Sequence, residues 1–327
     1  MTNLNVASFF SGVGGLDLGF ENAGFKFKFA NDNWKGCFDS YEENHKLEIN
    51  KQSIEELDGS EFDDVIGFVG GPPCQSWSLA GSMKGINDPR GQLLYEYIRL
   101  IEIKKPLFFL TENVPGMISK THINEFKKFV RELKKIGYNV NYEVLNAADF
   151  NVPQDRKRVF IIGFHEDLEK TFTFPKPNNK KITLKEAIGY LQEPLPALEK
   201  NNGNDIESLN IPNHEYMIGD FSSMYMSRNR VRSWNEQSFT IQAGGRHAPI
   251  HPQANKMIKI GKDERIFDPD SPKPYRRLSV RECARIQTFP DNFIFKYEKI
   301  NDGYKMIGNA VPVKLAEAIA NKIKTYL

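Results

Sequence analysis

Cysteine is scarce in this 327-residue chain, with Cys37, Cys74 and Cys283 the only three. They are far apart, odd in number and outside metal-ligand spacing, which excludes a disulfide scaffold and a zinc cluster. No metal is expected, and the thiols suit a reduced cytoplasmic compartment. No apolar run reaches the length of a membrane span. The start, MTNLNVASFF, lacks the basic segment and long apolar stretch of a secretory signal, so no leader is expected. Internal repeats and low-complexity tracts are missing too. Excess charge is also absent: the net value is +2, which neither demands nor excludes a nucleic-acid partner. The local balance is less even. Between Phe221 and Pro252 four arginines and two histidines face a single acid, Glu236.

What is present begins as an alternation of strand-like and helix-like patterns. Val6 to Phe10 is β-prone and runs into the turn Ser11-Gly12-Val13-Gly14-Gly15, followed by a helical spacing through Leu16, Phe20 and Ala23. Phe25 to Ala30, Val65 to Val69, Leu107 to Thr111 and Val159 to Phe164 read as further strands. Leu93 to Ile103 and Phe126 to Ile136 read as helices. This order predicts an α/β fold with a mainly parallel sheet and functional loops beyond the strand carboxyl ends. After Pro175 proline, asparagine, glycine and lysine become frequent and periodicity fades, predicting a loop-rich second region. Helices return at Val280 to Gln287 and, after Pro312, at Val313 to Ile323.

Strand, glycine turn, helix and distal acid form a nucleotide-binding pattern. An ordinary tight turn is the alternative. Asp32, twenty residues beyond Gly12, is placed to accept ribose hydroxyls. A dinucleotide fits poorly, because the third glycine position holds Asp17 and a carboxylate there would repel a pyrophosphate. A cofactor with an adenosine and no phosphates, such as S-adenosylmethionine, suits the loop better.

Cys74 follows Pro72 and Pro73, which stop helix and central strand alike and push the thiol into a rigid loop. Cys37 and Cys283 sit among apolar residues in helical patterns and read as buried small hydrophobes, whereas Gln75, Ser76 and Ser78 surround Cys74 with polar groups. A reactive thiol needs its pKa lowered, and the helix expected after this loop could supply a positive end. Glu112-Asn113-Val114-Pro115 follows a strand expected to neighbour the one leading to Cys74. In Gln154-Asp155-Arg156-Lys157-Arg158, alternation puts Arg156 and Arg158 on one side, with a solvated basic edge as the alternative for Arg156.

Together the motifs Phe9-Phe10-Ser11-Gly12-Val13-Gly14-Gly15, Gly71-Pro72-Pro73-Cys74-Gln75-Ser76, Glu112-Asn113-Val114, Gln154-Asp155-Arg156-Lys157-Arg158, Arg277-Leu278-Ser279-Val280-Arg281-Glu282 and Gly308-Asn309-Ala310-Val311-Pro312 stand in the order found in DNA cytosine-5 methyltransferases. The chain resembles that family over essentially its whole length. The resemblance implies a Rossmann-like S-adenosylmethionine-dependent methyltransferase fold with a smaller DNA-recognition domain. The expected boundaries are 1–175 completed by 296–327, and 176–295. It implies that Cys74 attacks carbon 6 of a flipped cytosine, Glu112 serves N3 and Arg158 holds O2. It places Phe10, Gly12, Gly14, Leu16, Asp32, Pro72 and Asn309 at the cofactor. Where the family usually has Gly-Asp-Ile near the adenine, this chain has Gln52-Ser53-Ile54, so Ser53 and Ile54 take that place without a charge.

The variable region resembles the bacterial branch that methylates GGCC, through Met226 to Arg232, Trp234-Asn235-Glu236, Gln242-Ala243 and His251-Pro252-Gln253-Ala254. If Arg228, Arg230 and Arg232 are extended they project from one side, and with Arg246 they are the expected DNA-binding arginines. The partner implied is double-stranded DNA, met by a monomeric cytoplasmic enzyme whose cognate restriction endonuclease shares the target. Three rivals are weighed: a tRNA methyltransferase of the same fold, an NAD-dependent oxidoreductase, and a catalytically dead DNA-binding protein.

Overall fold

The computed structural model describes residues 3–73 and 89–327. The chain forms two compact units: Met1–Asn146 with Lys157–Pro177 and Val313–Leu327, and Ala147–Arg156 with Asn178–Pro312. In the first, β1 (Asn5–Phe9), α1 (Gly15–Asn22), β2 (Lys26–Asn31), α2 (Phe38–His45), β3 (Gly67–Gly70), α3 (Pro89–Lys104), β4 (Phe108–Asn113), α4 (Ile123–Lys135), β5 (Tyr138–Asn146) and β6 (Lys157–His165) follow in order. They make a six-stranded sheet of order β2-β1-β3-β4-β6-β5. β1, β2, β3 and β4 pair in parallel; β6 inserts antiparallel between β4 and β5. The strand order reverses at β1, so the crevice for a ligand lies at the carboxyl ends of β1 and its neighbours.

The central strands are apolar because helices cover both faces of a parallel sheet. Phe9 anchors the core, with the rings of Phe68, Phe62, Tyr97 and Phe29 at 5.0, 5.4, 5.6 and 5.8 Å. α4 buries Phe126, Phe129 and Leu133, the spacing of a single helical stripe. The last helix of the chain, Val313–Lys324, returns to the first unit and packs on α1 so closely that a Cβ at Gly19 would lie 2.4 Å from that of Ala316.

Three elements were not anticipated. β5 alternates polar residues along a half-exposed edge and carries no apolar run. α2 is a polar helix, and the segment Ile300–Asn309 is helical despite Gly303 and Gly308. No strand precedes Gln52-Ser53-Ile54: only an isolated bridge joins Asn31 to Asn50, and Ile54–Glu56 is a 3-10 turn.

The second unit holds α5 (Leu184–Ile188), β7 (Leu195–Pro196), β8 (Glu215–Tyr216), α6 (Ser223–Met226), β9 (Ile258–Gly261), β10 (Glu264–Ile266), α7 (Val280–Ile286) and α8 (Ile300–Asn309); α9 is the Val313–Lys324 helix already placed. With so little regular structure, arginines take up its backbone carbonyls. Arg281 donates to the carbonyls of Pro212, Pro290 and Phe293. Arg277 lies 3.9 Å from the Phe221 ring centre and donates to the carbonyls of Gly219 and Asp220. Arg276 makes a bidentate pair with Glu282 at 2.8 and 2.9 Å, while Glu282 also closes a capping box with Ser279 at the start of α7.

Arg156, for which a solvated basic edge had remained open, is instead 1% exposed. Its guanidinium donates to the carbonyls of Ile241, Gly308 and Ala310 at 3.0, 2.9 and 3.0 Å. Gly308 must be glycine, since a Cβ there would stand 2.3 Å from the Gln242 carbonyl oxygen. Among the described residues no helix is long and apolar enough to cross a membrane. None forms a group of three or more His, Cys, Asp or Glu side chains able to hold a metal.

Lysine cannot replace the planar fork of Arg156. Arg156→Lys cannot serve the carbonyls of Ile241 and Gly308 together, the Ala310 carbonyl keeping its bond from Gln287, and is expected to cost about 2–4 kcal/mol. Thermal unfolding checks this; an unchanged midpoint would refute the stapling role.

Candidate active site

The turn after β1 is built from residues in left-handed conformations. Phe10 has φ +53°, Gly12 +56° and Gly14 +82°. For Phe10 this is costly, and such outliers persist where the surroundings enforce them. The turn is tied to the end of β2 by two bonds: the Ser11 amide donates to the Asn31 carbonyl (3.0 Å), and the Gly12 amide to Asp32 Oδ2 (2.8 Å). Asp32 Oδ1 accepts from the Trp34 amide at 2.8 Å. A Cβ at Gly12 would meet nothing within 4 Å among the described residues. Leu16 and Ile54 are buried, and Ile54 belongs to the aromatic core, so their side chains face inward. Ser53 is half-buried, donating its hydroxyl to Glu55 at 2.8 Å and its amide to Glu56 at 2.9 Å.

Asp17 does not face a ligand. It points into the interior at 0% exposure, which removes the argument that it repels a pyrophosphate. The Ser8 hydroxyl donates to one carboxylate oxygen (2.8 Å) and the Tyr41 hydroxyl to the other (2.7 Å); Ser11 donates to Ser8. Burial pushes the Asp17 carboxyl up to about 6, resisted by His45 and by the two hydroxyls. Tyr41 and His45 went unnoticed in the sequence because their helix carries no apolar stripe.

At the other side of the switch point, β4 brings Glu112 and β6 brings Arg158. The antiparallel register sets Glu112 opposite Phe160, so Arg158, two residues away, is its diagonal neighbour on the same face. Arg158 Nε lies 2.8 Å from Glu112 Oε1, both side chains being largely buried. Gly71 runs past this pair: a Cβ there would sit 3.5 Å from Glu112 Oε2. The Asn113 side-chain amide donates to the Pro72 carbonyl at 3.3 Å. β4 therefore braces the segment leading to Cys74, which itself lies outside the described residues.

In the second unit Asn309 is exposed at the end of α8. The expected array of arginines is not one regular strand: Arg228 lies in a bend and, among the described residues, the segment's ladder contact is the bridge Val231–Ile250. Arg230 folds back, donating to the carbonyls of Tyr225 and Met224 and lying 4.7 Å from the Tyr225 ring centre. Arg232 pairs with Glu236 and Asp155 at 3.1 and 3.2 Å. Arg228 and Arg246 are exposed.

The profile of the C-5 cytosine-specific DNA methylase family matches residues 4–325. The chain belongs to this family. The methylase is 69% identical over 325 residues to type II methyltransferase M.MthTI of Methanothermobacter thermautotrophicus, covering 99% of this chain and 98% of the relative. It is 47% identical over 330 residues to type II methyltransferase M.NgoPII of Neisseria gonorrhoeae, covering 99% and 96%. The solved structure of Entamoeba histolytica methyltransferase EhMeth shares the fold with a TM-score of 0.70 at 19% identity, covering 100% of this chain and 98% of that one. As a DNA C-5 cytosine methyltransferase of Rossmann-like fold, the methylase acts on DNA and requires a methyl donor.

A carboxyl whose folded-state pKa is raised stabilises the fold below its ordinary value and loses that contribution as pH rises through the raised one. Stability should therefore decline from about pH 4 to above pH 6 as Asp17 ionises. Asp17→Asn should flatten that decline in thermal midpoints measured against pH. Equal slopes in the two proteins would show that Asp17 is not the titrating group.

Proposed function

We propose that the methylase transfers a methyl group from S-adenosylmethionine to carbon 5 of a flipped cytosine in double-stranded DNA. The target is the inner cytosine of GGCC, and the protein is the modification arm of a restriction-modification system. The observation that carries the chemistry is the Glu112–Arg158 pair, 2.8 Å apart on one sheet face and beside the Gly71-Pro72 segment that leads to Cys74. Similarity to type II methyltransferases over nearly the full chain supports the restriction-modification role.

The glycine loop fits such a cofactor better than a dinucleotide. The Gly12 amide is already bonded to the Asp32 carboxylate, so a pyrophosphate brought to this loop would meet a negative charge. A ribose hydroxyl instead finds an acceptor in Asp32. Phe10, Gly12, Gly14, Leu16, Asp32, Ser53, Ile54, Pro72 and Asn309 are the proposed binding residues, with Leu16 and Ile54 contributing main chain. The cofactor supplies an electrophilic methyl group on a sulfonium.

Carbon 5 of cytosine is a weak nucleophile. The Cys74 thiolate forms a bond to carbon 6, and electrons of the carbon 5–carbon 6 double bond move toward N3, where the Glu112 carboxyl delivers a proton. Arg158 donates to O2 and keeps the ring in place as charge develops. Carbon 5 is then enamine-like and would take the methyl group as the donor leaves as a neutral thioether, with N3 returning its proton to Glu112. Water accepts the carbon 5 proton, which re-forms the double bond and expels the Cys74 thiolate. Flipping the base costs a few kcal/mol, repaid by contacts in the pocket.

Wild type should form a covalent adduct through Cys74 with GGCC duplexes carrying 5-fluorocytosine, because fluorine cannot leave as a proton. Cys74→Ser should form none while keeping its fold. Bisulfite sequencing of plasmid from expressing cells reads the target: modification at any other sequence, or of tRNA alone, would refute it.

Among the four arginines, Arg228 and Arg246 are exposed and make no hydrogen bond or ion pair among the described residues. A base-reading arginine changed to alanine costs about 1–3 kcal/mol and relaxes one base pair, whereas a phosphate-binding one weakens all sequences alike. At least one of Arg228→Ala and Arg246→Ala is expected to act in the first way. Uniform loss in both, measured across single-base variants of GGCC, would refute the assignment.

A further inference from the structure

Beneath the glycine loop lies a cluster that the proposed chemistry does not use. α2 ends at His45, whose ring stacks on Tyr41 with centroids 4.3 Å apart and planes at 24°. His45 Nδ1 lies 3.1 Å from each Glu21 carboxylate oxygen, and Nε2 lies 3.3 Å from the Val13 carbonyl oxygen. Both partners accept, so only the doubly protonated ring can donate to both; a neutral imidazole must give up one. The ring also fills the space a side chain at Gly14 would need: a Cβ there would stand 2.0 Å from Nε2. Val13 and Gly14 thus rest on His45, while a Cβ at Gly12 would meet no described residue within 4 Å.

The charged and titratable groups facing the ring are Asp17 and Glu21 from α1 and Tyr41 from α2. The loop contributes the Val13 carbonyl. Burial alone would lower the imidazole, but the Glu21 hydrogen bond and the charges of Asp17 and Glu21 outweigh it and raise the group above 6.5.

We propose that His45, as an imidazolium clamped between Glu21 and the Val13 carbonyl, is a positioning residue that holds the glycine loop in the shape that receives the methyl donor. This rests on the reading that S-adenosylmethionine binds at that loop. Loss of the proton releases one of the two bonds. Donor affinity therefore falls as pH rises through the raised His45 value, and is fully supported below the ordinary one.

The test is titration calorimetry of S-adenosylmethionine into the full-length protein from about pH 6 to about pH 9, spanning the histidine range. It compares wild type, His45→Leu, His45→Gln and Asp32→Ala. The donor's own amino group titrates alike in all four, so differences belong to the protein. His45→Leu should bind about tenfold more weakly, the scale of one lost charged hydrogen bond. It should lose the alkaline fall, raise the donor KM and keep kcat at saturation. His45→Gln, retaining one neutral donor, should recover much of the affinity without the alkaline fall. Wild-type affinity and pH profile in both His45 variants, with Asp32→Ala weakened, would overturn the inference alone. If Asp32→Ala and the His45 variants all bind as wild type, the donor site itself is wrong and the inference falls with it.

Discussion

The pairing of β4 with β6 is the constraint on which the proposed chemistry depends. A strand presents alternate residues to opposite faces, so the antiparallel register that sets Glu112 against Phe160 also decides that Arg158 shares a face with Glu112. A slip of one residue would turn the guanidinium to the other side of the sheet and separate the pair. The strand ladder, more than the ion pair, holds this geometry, since taking two charges out of water offsets much of what a largely buried pair gains. The same strand braces Pro72 through Asn113, so register is transmitted to the segment ahead of Cys74.

Charge buried in the two units serves placement in two different ways. In the first unit Asp17 sits in the sheet-facing side of α1, satisfied by Ser8 and Tyr41 yet pushed up to about 6 by burial. The proton it gains on acidification relieves a cost, so this carboxylate is kept at the expense of stability near neutral pH. In the second unit the cations are kept for the opposite reason. A loop-rich domain carries many carbonyls that no helix or sheet satisfies, and each buried one left without a donor costs about 1–3 kcal/mol. Arg156, Arg277 and Arg281 meet them several at a time through the guanidinium fork, a task that suits arginine and no other side chain.

The parallel core was legible because its strands are short apolar runs ending in glycine, proline or acid. The positions of Glu112, Asp32 and the glycine loop at strand carboxyl ends followed from that pattern. β5 was not legible because an edge strand needs no continuous apolar run, and α2 because its polar residues show no stripe. Asp17 was misread for a related reason. A motif position says where a residue stands along the turn, not which side of the helix it faces, and one residue of helical rotation carries it from ligand to core. His45 could not be found at all, since its role arises from a contact with a loop more than thirty residues away.

The arginines of the variable region show the same limit in a sharper form. An alternating run of Arg228, Arg230 and Arg232 reads as one basic surface only if the backbone is extended. Here it bends, and local acceptors decide each fate: the carbonyls of Met224 and Tyr225 take Arg230, and Glu236 with Asp155 takes Arg232. The lone acid of the segment, Glu236, therefore neutralises a neighbouring arginine. Its carboxyl is held near 2 first by hydrogen bonds from Ser233, so it stays charged throughout the working range. Counting arginines in a sequence does not give the charge free for a partner, because an arginine recruited to satisfy the fold must break those contacts to engage anything else. Phosphate binding falls off with every cation so recruited, whereas base recognition needs only a few guanidiniums in fixed places. If this loop-rich unit meets DNA as proposed, it divides one residue type between two tasks. The supply of backbone carbonyls and acids around each arginine, more than its place in the run, determines which task it performs.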